Sequence, residues 1–324
     1  MFQYFFLYFF QIVSAQEQSD TPNVASYEIR EHSLVKPYPA VFSTGSSYWH
    51  LTGNTIVTDR WIRLTADTQS KQGGLWNLLP VTYPDWEMHV HFKVHGTGKE
   101  LFGDGLVIWY VRDPKHLGPV FGYQDYFHGL GIVLDTYSNH NGPHNHAHPY
   151  ISAMVNNGTL HYDHDRDGTH TQIAGCESAF RGRDTDTLIA IRYKDDKLTV
   201  STDVDGRNVW RECFSAEGVR LPTHYYFGFS AATGELTDSH DIISVHTYQL
   251  DSSNERKLED RQAIVPFGLT SEAERLHVDD PKSVSWTALK IFFYVLLFLI
   301  ISVGLAIGGY FYMNSRRYHK SRFY

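Results

Sequence analysis

The chain has 324 residues, 42% of them hydrophobic and 20% charged, which excludes a disordered or fibrous protein and allows one large domain or two small ones. Its formal net charge of −8 excludes the basic face that a nucleic-acid-binding surface needs. Two cysteines, Cys176 and Cys213, are too few for a zinc ribbon or a disulfide-dense mini-fold, and an aromatic content of 15% fits an all-β body better than a helical bundle.

Residues 1–15, MFQYFFLYFFQIVSA, are apolar, too short to span a bilayer, and end in the small residues Ser14 and Ala15; they predict a secretory signal peptide. From 27 to 250 the chain predicts short strands over Glu87–Val94, Gly105–Val111, Leu130–Leu134, Tyr150–Val155, Asp186–Tyr193, Lys197–Asp203, Tyr225–Ser230 and Ile242–Leu250. Glu87–Val94 alternates polar and apolar residues, whereas Gly105–Val111 is a continuous apolar run, as expected of a central sandwich strand. Turn signals at Asn156-Asn157-Gly158, Asp165 to Gly168, Asp195-Asp196 and Asp205-Gly206 separate them, and no long segment carries a helical period. The pattern predicts a single all-β sandwich over 27–250.

From 251 to 288 the composition turns polar and charged, with Pro266 and Pro281 breaking any long helix, and reads either as a stalk or as a disordered linker. A membrane helix is expected over 289–313: Ile291 to Met313 is uncharged, and at about 1.5 Å per residue it crosses a hydrocarbon core of roughly 30 Å. The tail 314–324 carries Arg316, Arg317, Lys320 and Arg322 and no acid, which places it in the cytosol and the body in a lumen, as in a type I membrane protein. In an oxidising lumen Cys176 and Cys213 can pair, and Asn157-Gly158-Thr159 is a glycosylation acceptor.

The stretch Leu134 to Asn139 (LDTYSN) ends an apolar strand and delivers a carboxylate, a carbonyl and an amide in quick succession; His161 to Gly168 (HYDHDRDG) supplies further carboxylates on a tight turn. Hard cations such as calcium take six to eight oxygens of these kinds. Asp135, Asn139 and Asp167 close on one calcium ion if the two loops meet, and are ordinary solvated turn residues if they do not. The spacing is not that of an EF-hand. Between these loops, Ser138 to His148 is rich in histidine, and His144, His146 and His148 alternate along an extended segment, as either a transition-metal site or a solvated polar loop.

Several longer motifs keep a recognisable order: Trp86 to Gly98 (WEMHVHFKVHGTG), Gly103-Asp104-Gly105, Gly131 to Tyr137 (GIVLDTY), Val155 to Gly158 (VNNG), Tyr162-Asp163-His164, Phe180 to Arg183, Arg192-Tyr193, His240 to Ser244 (HDIIS) and the terminal Arg322-Phe323-Tyr324. In these the chain resembles the leguminous-type (L-type) lectins of the animal secretory pathway, especially their vesicular integral-membrane branch. The resemblance implies a concanavalin-like β-sandwich (a jelly roll) with a single C-terminal membrane helix. It further implies a calcium ion held by Asp135, the Tyr137 carbonyl, Asn139 and Asp167, and mannose held by Ser70, Asp104, Asn139, His164 and the loop Gly234-Glu235-Leu236, with a cis peptide at Gly103–Asp104. The implied function is a calcium-dependent lectin, not an enzyme. It would carry glycoproteins with high-mannose N-glycans between endoplasmic reticulum, intermediate compartment and Golgi, and engage cytosolic coat proteins through Arg322, Phe323 and Tyr324.

His164 beside the carboxylates further predicts that acidification loosens the site. Three departures stand out: Glu235 where the branch has aspartate, the histidine tract, and Ser321 where relatives carry a basic residue. The alternatives from other classes are a β-sandwich glycoside hydrolase, for which no Glu-x-Asp-x-x-Glu strand motif is present, and an adhesion ectodomain without a sugar site.

Overall fold

The structure, a computed structural model, describes residues 27–42, 48–139, 146–253, 256, 259–270 and 286–320. The expected signal peptide, His144 and the Arg322-Phe323-Tyr324 ending lie outside the described residues. The strands are β1 (Tyr27–Glu28), β2 (Trp49–Gly53), β3 (Ile56–Val57), β4 (Ile62–Thr65), β5 (Gln72–Asn77), β6 (Trp86–His95), β7 (Gly105–Val111) and β8 (His128–Asp135). They continue with β9 (Tyr150–Asn157), β10 (Ala174–Glu177), β11 (Thr187–Lys194), β12 (Lys197–Asp203), β13 (Arg211–Ala216), β14 (Tyr226–Ala232) and β15 (Ser239–Gln249).

They form two antiparallel sheets. An eight-stranded sheet runs β13-β12-β11-β6-β15-β4-β3, with β1 also paired to β15; a seven-stranded sheet runs β10-β9-β8-β7-β14-β5-β2. The expected all-β sandwich is therefore the architecture of the body. Side chains at alternate positions explain how the sheets meet. In β6, Met88, Val90, Phe92 and Val94 are buried in the core between the sheets, while His89, His91, Lys93 and His95 face outward and are partly exposed.

The seven-stranded sheet is buried on both faces, which is why β7 reads as an unbroken apolar run. Leu106, Ile108 and Tyr110 enter the core between the sheets. Val107, Trp109 and Val111 enter a second core with Val120, Phe121, Tyr123, Phe127 and Tyr162, supplied by the segments after β7 and β9. That second core fixes the loops flanking the site described below. The β11–β12 hairpin turns on Asp195 and Asp196, whose φ values of 52° and 59° match the two-residue turn that suits strand twist. Cys176 on β10 and Cys213 on β13 are joined by a disulfide, which ties an edge of one sheet to an edge of the other.

The stretch after β15 departs from the stalk expected from residue 251. Arg256 pairs with Asp85 at 2.6 Å and with Asp196 at 3.1 Å. Arg261, only 2% exposed, donates to Asp196 at 2.7 Å and to the Tyr193 hydroxyl at 3.0 Å. Arg220 and Phe267 exchange two backbone hydrogen bonds. Residues that look like a solvated charged run are thus anchored on the sandwich as far as Phe267.

The remaining unit, 275–324, contains a helix over Trp286–Lys320 that is long and apolar enough to cross a membrane; its most apolar window is Phe293–Tyr310. The helix runs past Met313, so the basic residues to Lys320 continue it rather than forming an irregular tail.

Candidate carbohydrate and cation site

The strand register assembles the site. Across the seven-stranded sheet, Tyr150 pairs with Asp135, Asp135 with Gly105, Gly105 with Ala232, and Ala232 with Gln72. Five strands therefore end level with one another, and the connections at that end come together. Those connections carry Ser70, just before β5; Asp104, just before β7; Asp135, Tyr137 and Asn139, at and after the end of β8; His148, before β9; and Gly234 to Leu236, after β14.

Hydrogen bonds fix the arrangement. The backbone N–H and hydroxyl of Thr136 both donate to the Asp104 carbonyl, at 3.0 and 2.9 Å, and the Asp104 N–H donates to the Ala232 carbonyl at 3.3 Å. The Gly103–Asp104 peptide is cis. Ser70, with φ of 56°, donates its N–H to the Gly234 carbonyl at 3.1 Å, and the Gln69 side-chain amide donates to the Glu235 carbonyl at 2.9 Å. Two glycines make close approaches. A Cβ on Gly234 would lie 3.4 Å from both Asp104 carboxylate oxygens, and one on Gly103 would lie 3.2 Å from the Tyr137 Cβ and 3.5 Å from that of Leu236. Ser70, Asp104, Tyr137, Gly234 and Leu236 are thereby brought to one place.

Two buried carboxylates lie beside them. Asp135 is 5% exposed and Asp167 is 4% exposed. The Tyr137 N–H donates to Asp135 Oδ1 at 3.0 Å, and the Asn139 N–H donates to Asp167 Oδ1 at 2.9 Å. Asp167 reaches this position because it ends the short 3-10 turn His164–Arg166 in a left-handed conformation with φ of 50°, one that aspartate tolerates better than most residues. Burial pushes the Asp135 carboxyl well above the usual carboxylate range; the Tyr137 N–H opposes this, and the Asp167 and Asp104 charges push it further up. Burial alone raises Asp104 to about 6. Among the described residues, no arginine or lysine pairs with Asp104 or Asp135.

The imidazole against both carboxylates is that of His148. Its Nε2 lies 3.9 Å from Asp135 Oδ2 and 4.0 Å from Asp167 Oδ2, with its side chain 5% exposed. Burial pulls this imidazole below its ordinary value, with the Asp167 charge opposing. Of the two readings of the histidine tract, the solvated polar loop does not hold for its end: His146 stacks on Tyr150 at 3.5 Å, and His148 is buried against the acids. The alternation of His146 and His148 was the available signal, but nothing local in the sequence shows which groups an imidazole there would meet.

His164 is held by the second core beside the site. Its Nε2–H donates to the Pro119 carbonyl at 3.1 Å, and its ring lies against Phe121 and Tyr162, at 5.2 and 4.8 Å. Burial lowers its pKa, with the Pro119 carbonyl opposing, while burial raises the Asp104 and Asp135 carboxyls. Glu235 is exposed and contributes its backbone carbonyl to the loop. Asn139 is exposed as well, with its backbone pinned by Asp167.

The donor set fits a hard divalent cation. Asp135, Asp167, the Asn139 amide and the Tyr137 carbonyl all offer oxygen, and among the described residues the buried Asp135 charge has no arginine or lysine to offset a desolvation penalty of several kcal/mol.

The pattern of the Legume-like lectin family matches residues 25–257. The chain belongs to the legume-like lectin family. Among curated relatives it is 47% identical over 302 residues to the Vesicular integral-membrane protein VIP36 of Canis lupus familiaris, covering 91% of this chain and 85% of that one. It is 45% identical over 314 residues to the human VIP36-like protein, covering 92% and 86%. Among solved structures, the VIP36 exoplasmic/lumenal domain in its Ca²⁺/Man2-bound form superposes with a TM-score of 0.72 at 51% identity, over 75% of this chain and 98% of that one. These relatives are lectins, which sets the glycoside hydrolase alternative aside.

Proposed function

We propose that this legume-like lectin binds high-mannose N-glycans in a calcium-dependent manner and acts as a type I membrane cargo receptor between endoplasmic reticulum and Golgi. The observation that carries the reading is the buried Asp135–Asp167 pair beside the Asp104 and Gly234 loops, with Asp135 meeting no arginine or lysine among the described residues. Asp135, Asp167, the Asn139 side chain and the Tyr137 carbonyl hold the calcium ion, which neutralises the buried acids and so stabilises the loops on which they lie.

The residues of this chain do the rest. Asp104 accepts hydrogen bonds from sugar hydroxyls, and its neighbour Gly234 leaves room for a ring against that carboxylate. Asn139 links cation to sugar, because its backbone is pinned by Asp167 while its side chain is exposed. Ser70, His164 and the Gly234-Glu235-Leu236 loop complete the saccharide contacts. Tyr137, whose Cβ lies against Gly103, walls one side. Such a shallow site binds one sugar weakly, so cargo is retained through several mannose units or clustered receptors.

The boundaries we assign are a signal peptide over 1–15, a lectin domain over 27–250 with 251–270 as its anchored extension, a membrane helix within 289–313 and a cytosolic tail over 314–324. Arg322, Phe323 and Tyr324 engage coat proteins, and Asn157, exposed at the end of β9, carries an N-glycan. VIP36 has been solved with Ca²⁺ and Man2 bound, which supports the ligand assignment.

Passing the full-length protein in detergent over mannose resin tests the reading. It should be retained in calcium and elute with chelator. Passage straight through in calcium, as an adhesion domain would show, or retention indifferent to chelator, would defeat it.

A further inference from the structure

We infer that His148 is itself a metal ligand: its Nε2 shares one divalent cation with Asp135 and Asp167, and this nitrogen gives the site an affinity for zinc that an all-oxygen cradle lacks. The inference rests on the cation position proposed above and adds to it the identity of a further ligand and a further metal.

The geometry points to a shared ion rather than to an ordinary ion pair. His148 Nε2 is 3.9 Å from Asp135 Oδ2 and 4.0 Å from Asp167 Oδ2. Both distances exceed the roughly 2.7–3.2 Å of a hydrogen bond. They leave room for an ion between the imidazole and the two carboxylates, and a tetrahedral ion about 2 Å from each ligand atom would draw those atoms to roughly 3.3 Å from one another. The three groups offer ligand atoms that all lie within 4.8 Å of one another. The other oxygen of each carboxylate is held by backbone: Oδ1 of Asp135 takes the Tyr137 N–H and Oδ1 of Asp167 takes the Asn139 N–H. The His148 side chain is 5% exposed, and its Nε2 has no hydrogen-bond partner among the described residues. A buried ring nitrogen without a partner, aimed at two carboxylates, is a group in want of a ligand.

The ring is also held in place. It lies 4.8 Å from the His146 ring and 6.1 Å from that of Tyr150, the residue paired in register with Asp135. The imidazole is thus packed beside the first residue of β9.

Ligand chemistry then selects the metal. Calcium takes oxygen ligands, six to eight of them, and gains little from imidazole. Zinc takes histidine nitrogen and carboxylate oxygen in four-coordinate sites, and two carboxylates, one imidazole and a water complete one. Such an ion makes no demand on the Asn139 amide or the Tyr137 carbonyl. Zinc bound this way occupies the cation position without organising the loop that meets the sugar, and so competes with calcium-dependent mannose binding.

The test uses the full-length protein in detergent, carrying no histidine tag and stripped of metal, beside His148→Phe, which keeps a ring against His146 and Tyr150. Zinc and calcium affinities are measured by calorimetry, and cobalt is added as a spectroscopic stand-in for zinc. Wild type should bind one zinc per chain in competition with calcium, and its cobalt form should show visible absorption bands that zinc removes. In His148→Phe, zinc affinity should fall by about tenfold or more while calcium affinity changes by less than about threefold, and the cobalt bands should be lost. Zinc should release wild type from mannose resin in calcium at concentrations that leave the variant bound.

Equal zinc affinities in the two proteins, or a loss of calcium affinity as large as the loss of zinc affinity, overturn the inference. If calcium and calcium-dependent mannose binding are intact while zinc ignores His148, only this inference fails. If wild type binds neither calcium nor mannose, the lectin reading fails with it.

Discussion

Buried acids occur in two regions of the molecule, and the fold treats them in opposite ways. On the eight-stranded sheet and at its margins four of them meet an arginine, the exception being Asp203, whose Oδ1 accepts from the Asp205 and Arg207 backbone N–H groups at 3.3 Å. Asp238 pairs with Arg181 at 2.7 Å, Asp241 with Arg63 at 2.7 Å, Glu87 with Arg192 at 2.6 Å, and Asp85 with Arg256 at 2.6 Å. At the end of the seven-stranded sheet, Asp135 and Asp104 have no such partner among the described residues, and the group facing Asp135 and Asp167 is an imidazole. The effect on ionisation follows. Burial pushes Asp241 up, but hydrogen bonds from Arg63 and His95 bring it net below the usual range, whereas Asp135 stands well above it. A chain that neutralises its acids internally in one region and leaves them uncompensated in another has reserved the second region for a cation from outside.

The largest effect expected from this contrast is in the arginine-matched region. Asp238→Asn strands Arg181, whose side chain is 11% exposed, and should lower unfolding stability by roughly 3–5 kcal/mol in a denaturant titration while leaving calcium affinity unchanged. Asp135→Asn should do the reverse. Calcium affinity, read by calorimetry, should fall by about a hundredfold or more, close to 2.7 kcal/mol. The metal-free protein should melt no lower than wild type, since the change removes an uncompensated buried charge. A metal-free Asp135→Asn that melts well below wild type would erase the distinction between the regions.

Acidification gives the next effect. Asp104, raised to about 6 by burial, accepts sugar hydroxyls as a carboxylate, so mannose binding should be full above that pH and decline as pH falls through it. One unit below the pKa about a tenth of Asp104 remains ionised, which corresponds to roughly tenfold weaker binding. Asp135 titrates in the same direction, and added calcium, which favours the ionised forms, should move the midpoint to lower pH. A mannose-binding curve flat from pH 7 to 5 at limiting calcium would contradict this.

The smallest effect belongs to Glu235. It is exposed and meets the loop through its backbone, so Glu235→Asp should change affinity for free mannose by less than about threefold and appear chiefly as a redistribution among extended glycans on an array.

The fold was legible where strands are long and patterned. β7 and β12 match their expected bounds residue for residue, and β6, β8, β9, β11, β14 and β15 extend beyond or shift from theirs by a few residues. β1 to β5, β10 and β13 were not legible, because they are short and β5 carries Gly73 and Gly74, which allow close backbone approach but contribute no side-chain pattern.

Within the site, Asp104, Asp135, Tyr137, Asn139 and Gly234 could be singled out because they lie in ordered motifs. His148 was left between two readings, since its neighbours are set by strand register rather than by adjacent sequence. Arg256 and Arg261 were read as part of a stalk or disordered linker for the same reason. Asp85 and Asp196, which bury them, lie far away in the chain.

The central claim is that a cation drawn from solution completes the Asp135–Asp167 cradle and thereby creates the sugar site. Calorimetry on the metal-stripped, full-length protein tests it most directly, with calcium titrated first and mannose second. The account predicts one calcium per chain, absent in Asp135→Asn, and mannose heat only after calcium has bound. Mannose binding of equal strength before and after calcium, or calcium bound equally well by Asp135→Asn, would contradict it.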